Sequence, residues 1–195
     1  MPIIRETMLT TISGEGRVHI APMGIIADGD GWIVAPFRPS ATHDNLRTVP
    51  FAVANHTDDV RIFAGCLTGR QEWPTTVSDH VPVPRLTGAL AHIELAVIGV
   101  TEDEQRTRFR FAVVGRGSHA PFEGFNRAKA AVIEAAILVS RLHMLPREKI
   151  EADIAYLGIA VAKTAGAHEA EAWSWLMDAI RAHYGGREES PASRR

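Results

Sequence analysis

Ala35-Pro36-Phe37-Arg38-Pro39-Ser40-Ala41-Thr42-His43-Asp44-Asn45-Leu46 carries the chain from an apolar run, Trp32 to Ala35, into the start of a short helix. Ser40 or Thr42 can act as N-cap, because a side-chain oxygen there accepts an amide that the first helical turn leaves without an intrahelical acceptor. Arg38 adds a positive fork beside those amides, and such a turn attracts an anion. The same residues also suit an ordinary strand-to-helix connection whose hydroxyls only cap the helix. A strand that gives way to so short a helix, Thr42 to Thr48, points to a curled sheet with the helix over one opening.

On either side of this stretch, short apolar runs are separated by turn signals: Ser13-Gly14-Glu15-Gly16, Asp28-Gly29-Asp30-Gly31 and Thr57-Asp58-Asp59. Trp32 to Ala35 and Phe51 to Ala54 are apolar on both faces, whereas Phe109, Phe111 and Val113 alternate with Arg108 and Arg110. A closed or partly closed antiparallel barrel accounts for strands of both kinds. Around Ile4, Glu6, Met8 and Thr10 neither face is purely apolar, so the first strand is expected at an edge or a subunit contact. Gly65 to Arg85, with Trp73, Pro74, Pro82 and Pro84, has no period and reads as a lid. Leu86 to Ile98 resumes as a strand and is expected to pair with Thr107 to Val114, closing the barrel.

After Gly115 to Gly124 the period becomes helical. Phe125, Ala128, Val132, Ala135, Val139 and Leu142 share one stripe; Pro146 opens a second helix with Ile150, Ile154, Leu157 and Val161, and Gly166 ends it. A third helix carries Trp173, Met177, Ile180 and Tyr184 and is expected to stop at Gly185-Gly186. The division that follows is a barrel domain over 1–118, a helical domain over 119–186 and a disordered tail over 187–195.

The 195 residues carry 21 basic and 23 acidic side chains, a net charge of -2 that gives no general attraction to nucleic acid or anionic lipid. One cysteine, Cys66, excludes an internal disulfide, no cluster offers a zinc cage, and no metal is expected. Arg5 and Glu6 stand where a signal peptide needs apolar residues, and no apolar run approaches the ~20 residues of a membrane span. A cytoplasmic protein without membrane contact is the expectation. No Gly-x-Ser-x-Gly elbow supports a hydrolase.

Other residues fit either chemistry or structure. Ala21-Pro22-Met23-Gly24 lies on the second strand, where Pro22 removes a donor and Gly24 admits a bulge or the close approach of a flat ligand. Asn55-His56-Thr57-Asp58-Asp59 ends a buried strand and reads equally as an Asx turn or a substrate-facing rim. Arg127, Glu134 and Arg141 align on one stripe of the first long helix, facing water or partners elsewhere in the fold, and Asn126 can cap that helix or meet a ligand at its positive end.

Glu6 to Thr11, Ala21 to Gly24, Pro36-Phe37 with Ser40-x-Thr42-x-x-Asn45-Leu46, Asn55-x-Thr57-Asp58-Asp59, and Phe125-Asn126-Arg127-Ala128 with Glu134 and Arg141 together resemble one family. It is the domain of unknown function 447 family, flavoproteins with the FMN-binding split barrel of the flavin reductase-like proteins. The resemblance implies an α+β fold, an antiparallel split β-barrel followed by a C-terminal three-helix unit. It also implies FMN at a homodimer interface. By matching position, Arg38, Ser40, Thr42 and Asn45 become phosphate and ribityl contacts, while Ala21, Pro22, Met23, Gly24, Pro36 and Phe37 flank the ring. The implied activity is oxidoreduction between a reduced nicotinamide and an unidentified, conceivably pterin-like acceptor. No catalytic residue is assigned; Asn55, His56, Asp58, Trp73, Asn126 and Arg127 are candidates for the substrate pocket. The rival readings are a flavin-binding or protein-interaction module without turnover, and haem in a similar barrel.

Overall fold

The computed structural model describes residues 2–188. In chain order it contains β1 (Ile4–Ile12), β2 (Val18–Asp28), β3 (Gly31–Val34), α1 (Ala41–Thr48), β4 (Phe51–His56), α2 (Val60–Leu67), β5 (Thr75–Thr76), β6 (Arg85–Leu86), β7 (Ala91–Thr101), β8 (Arg108–Ser118), α3 (Arg127–Ser140), α4 (Arg147–Thr164) and α5 (Ala167–Glu188). The class is α+β, an antiparallel barrel followed by three helices. Two compact units form: one holds the residues up to Asp58 with Gln71–Glu123, the other Asp59–Arg70 with the residues from Gly124 onward.

The first unit is a closed barrel with ring order β1-β2-β3-β8-β7-β4. Leu9, Ile25, Val34, Ala52, Ala54, Leu95, Phe109 and Phe111 fill its core, and Leu46 of α1 joins them. The clean alternation on β8 survives folding: Phe109 and Phe111 are wholly buried while Arg108 and Arg110 are exposed. β1 is not an edge strand, for it pairs with β2 along its whole length and with β4 through Met8, Leu9 and Thr10. Its buried polar positions are satisfied inside the sheet. The Thr7 hydroxyl donates to the Met23 carbonyl, and the Thr10 and Thr11 hydroxyls accept from the side-chain amides of Asn55 and Asn45. Internal partners remove the desolvation penalty of those hydroxyls, so a mixed pattern suits a central strand.

The β7–β8 hairpin forms as expected but starts at Ala91, because Leu86 is spent on the small β5–β6 ladder. The segment expected as a lid is a packed wall. Val81 and Val83 bury against Val53, and the Leu86 amide donates to the Asn55 side-chain carbonyl. Three isolated valine and leucine side chains among prolines show no period, which is why sequence pattern misses them.

In the second unit α2 joins the later helices through Val60 and Ala64, packed with Val132, Ala135, Ala136, Ala172 and Leu176. A helix of 8 residues between a strand and a long loop lacks the repeat that would mark it in sequence. Asp59 caps it by accepting the Arg61 amide and also binds the Arg61 guanidinium. Phe125 falls outside the apolar stripe of α3 and is exposed. Arg127, Glu134 and Arg141 are all exposed. α5 runs through Gly185-Gly186 to Glu188 instead of stopping there. The expected tail lies, from 189 onward, outside the described residues.

Candidate functional site

Two basic regions of the barrel unit stand out. The first is the turn between β3 and α1. Ser40 is the N-cap, with extended φ and ψ of -158° and 150°, and its hydroxyl oxygen accepts the His43 amide. The amides of Ala41 and Thr42 precede any intrahelical acceptor. Asn45 donates to Thr11, tying α1 to β1, and the buried His43 ring meets Phe109 edge-on. Thr42 is only 2% exposed, whereas Ser40, the capping hydroxyl, is half-buried.

Three guanidinium groups belong to this region, Arg38 and Arg106 beside the turn and Arg47 on the last turn of α1, and sequence spacing gives no reason to select the last two. Arg47 donates to Glu102 at 2.8 Å and Arg38 lies 3.7 Å from the other oxygen of the same carboxylate. Arg106 donates twice to the Ala35 carbonyl, at 3.1 and 3.0 Å, and its guanidinium stacks 4.3 Å from the Phe37 ring. A planar cation over a ring face steadies an otherwise exposed aromatic. Both Glu102 pairs are half exposed and therefore weak, up to about 1 kcal/mol each. Pro36 is buried and Phe37 exposed.

Ala21, Pro22, Met23 and Gly24 face Leu9, Met8, Thr7 and Glu6 across the β1–β2 ladder. β3 pairs with β2 only from Ile25 onward, so among the described residues 18–24 have a strand neighbour on one side only. There a proline is tolerated, and backbone groups remain for a ligand. No bulge occurs. The space beside Gly24 is taken by Ile4, whose Cγ2 lies 3.0 Å from where a Cβ would stand.

The second region is the barrel mouth, a cavity of about 510 Å³ lined by Arg5, Trp32, His56, Ala91, His92, Ile93 and Arg116 with Gly117 and Ser118. Of the expected pocket residues only His56 reaches it. Asn55, next to it, is fully buried, its amide donating to Met8 and Thr10 and its carbonyl accepting Leu86. It builds the wall and meets no solvent. Asp58 and Trp73 are half-buried in the connections that flank α2. Asn126 and Arg127 belong to the helical unit, where Asn126 caps α3 and donates to the Thr164 carbonyl.

Behind the mouth lies a buried network that has no signature in sequence. His92 Nε2 faces Glu94 at 3.2 Å, and His92 Nδ1 meets His119 Nε2 at 2.9 Å with the two rings stacked. The Glu94 carboxylate also accepts the amides of Asp79 and His80. Burial works against its ionisation, but those two amides and His92 outweigh it and hold Glu94 below its ordinary value. β8 makes the room. A Cβ on Gly117 would stand 2.5 Å from His92, and one on Gly115 2.5 Å from His80 and 3.1 Å from Glu94. His56 is held below its ordinary value by burial first, then by Arg5, Arg116 and His92.

Comparison with known proteins follows from this geometry. The model of "Protein of unknown function (DUF447) N-terminal domain" matches residues 5–120, and that of "Protein of unknown function (DUF447)" matches residues 126–178. The crystal structure of the FMN-bound DUF447 protein MM1853 from Methanosarcina mazei superposes with a TM-score of 0.81 at 22% identity, covering 92% of this chain and 96% of that one. The 2-nitrobenzoate 2-nitroreductase NbaA of Pseudomonas fluorescens has a TM-score of 0.51 at 19% identity, over 61% of this chain and 66% of that one. An FMN-binding protein from Thermus thermophilus, with bound p-hydroxybenzaldehyde, has a TM-score of 0.51 at 19% identity, over 61% of this chain and 73% of that one. No curated protein matches.

Proposed function

Because this chain belongs to the DUF447 family, we propose that it is an FMN-binding flavoprotein acting as an oxidoreductase, with the phosphate at the β3–α1 turn. One observation carries the reading. A capped helix start, the Arg38 guanidinium and an exposed ring at Phe37 stand together at one turn, and Arg47, from the last turn of α1, reaches the same Glu102 carboxylate as Arg38. A phosphate dianion needs several donors plus cations, and this turn supplies them.

In this reading Arg38 and Arg47 leave Glu102 for the phosphate, the Ser40 hydroxyl and the Ala41 amide donate to it, and Asn45 holds α1 in place through Thr11. Thr42, on the first turn of α1, belongs with these contacts through its backbone amide. Phe37, steadied by Arg106, and Pro36 flank the ring with the backbone of Ala21 to Gly24. Bound FMN supplies hydride or electron transfer from a reduced nicotinamide to an acceptor; the chain orients the ring and keeps water from it. A pterin-like acceptor remains part of the proposal. A homodimer with FMN at its interface, as the family resemblance implies, is part of the proposal.

The absorption spectrum of the purified protein, with extraction of the cofactor, tests the binding. FMN bleached anaerobically by NADH or NADPH supports the enzyme. A flavin that stays oxidised with both supports the module without turnover. Colourless protein that refuses added FMN, or a Soret band, overturns the proposal.

A further inference from the structure

Around the barrel mouth four strands bring two arginines and two histidines. Arg5 comes from β1, His56 from β4, His92 from β7 and Arg116 from β8, and no carboxylate lines the cavity. Among the described residues neither Arg5 nor Arg116 has an ion-pair partner; Arg5 lies over the Trp32 ring, 5.9 Å from its centroid. The nearest buried carboxylate, Glu94, is engaged behind the wall by His92 and by the amides of Asp79 and His80. Uncompensated cations in a concave, partly apolar site have one natural complement, an anion with an apolar body. Trp32, Ala91 and Ile93 give the cavity its apolar wall, and about 510 Å³ suits a small molecule.

We propose that the barrel mouth binds a small planar organic acid, its carboxylate held between Arg5 and Arg116 and its ring laid against Trp32. This site is built from residues other than those assigned to the phosphate, and it needs no flavin. Binding is coupled to a proton. His56 faces Arg5 on β1, Arg116 on β8 and His92 on β7, the last with Glu94 bonded behind it, while β3 contributes only the uncharged Trp32. Burial, Arg5 and Arg116 keep His56 neutral in the free protein at pH 7. An incoming carboxylate cancels their influence, so His56 takes up a proton from solvent as the anion binds.

Benzoate is the probe, titrated into the full chain by calorimetry at pH 7 in Bis-Tris and in imidazole, cationic buffers of different ionisation enthalpy. The expected result is one benzoate per chain, net proton uptake, and no binding of the uncharged isostere benzamide. Arg5→Gln and Arg116→Gln each weaken benzoate by about tenfold or more, the loss of a charge-assisted bond. Both side chains are solvent-accessible, and unchanged thermal midpoints in the two variants certify their folds. His56→Asn abolishes the proton uptake and retains binding. Absence of benzoate binding, equal binding of benzamide, or wild-type affinity in both arginine variants overturns the proposal. Competitive displacement of benzoate by FMN overturns it as well, because the mouth would then belong to the flavin. Benzoate bound by a protein that refuses FMN sinks the flavin reading alone.

Discussion

The β3–α1 turn and the barrel mouth are both basic, yet they treat charge in opposite ways. At the turn Arg38 and Arg47 share Glu102 at the surface, and the cap itself is made by residues within a few positions of one another. At the mouth, among the described residues, neither arginine has an ion-pair partner, and the Glu94 carboxylate behind it is buried and bonded. The turn can exchange its internal anion for an external one at small expense. The mouth has no carboxylate in its lining to give up, and Glu94 behind it is held by two amides and His92.

The sharpest way to break this contrast is to remove the buried carboxylate. Glu94→Ala leaves His92 and two amides without their acceptor and is expected to lower stability by about 3 kcal/mol in urea unfolding. A loss comparable to that of a surface variant would mean that the network is loose. Glu94 also sets an acid limit. Its folded-state value lies below the ordinary 4.5, so the stability it confers is full above 4.5 and is lost as pH falls from there through the folded value. Burial lowers His56 and His19 too, so the unfolded chain binds protons more readily than the folded one below 6.5, and stability starts to fall there. Thermal midpoints measured from pH 8 to pH 3 should decline in those two stages, and Glu94→Gln should flatten the lower one.

Gly117→Ala sharpens the contrast further. Its Cβ would press on the His92 ring, and a cost of about 1–3 kcal/mol is expected, together with a change in the His92 and His119 imidazole resonances on NMR titration. Ser40→Ala, at the turn, removes an N-cap and should cost about 1 kcal/mol by the same unfolding assay. The smallest effect belongs to Glu102→Ala. Its exposed pairs predict a change of less than about 1 kcal/mol, and if FMN binds at the turn the affinity should rise, because Arg38 and Arg47 are released. Weaker FMN binding in that variant would remove the exchange of anions from the turn.

The turn was legible because its chemistry is local. Ser40, three residues ahead of the His43 amide it accepts, has the spacing that a cap requires, and Phe109 with Phe111 showed the inner face of β8 by alternation alone. Arg106 was not legible, since it reaches Ala35 from 71 residues away. Nor was the mouth: Arg5, His56, His92 and Arg116 are spread along four strands and share no spacing. Gly115 and Gly117 lie past Val114, where the strand was expected to end, yet β8 runs on to Ser118 and their missing side chains are the space that His92 and Glu94 occupy.

Sequence alone determined the class of the fold, the barrel ahead of the helices and the capped start of α1, because periodicity and capping depend on neighbours a few residues apart. The tertiary structure decided which strand lies in the ring's interior, that α2 belongs with the later helices, and which charges meet at the mouth. Strand register brings together residues with no relation along the chain, and burial then sets how strongly their charges act on one another.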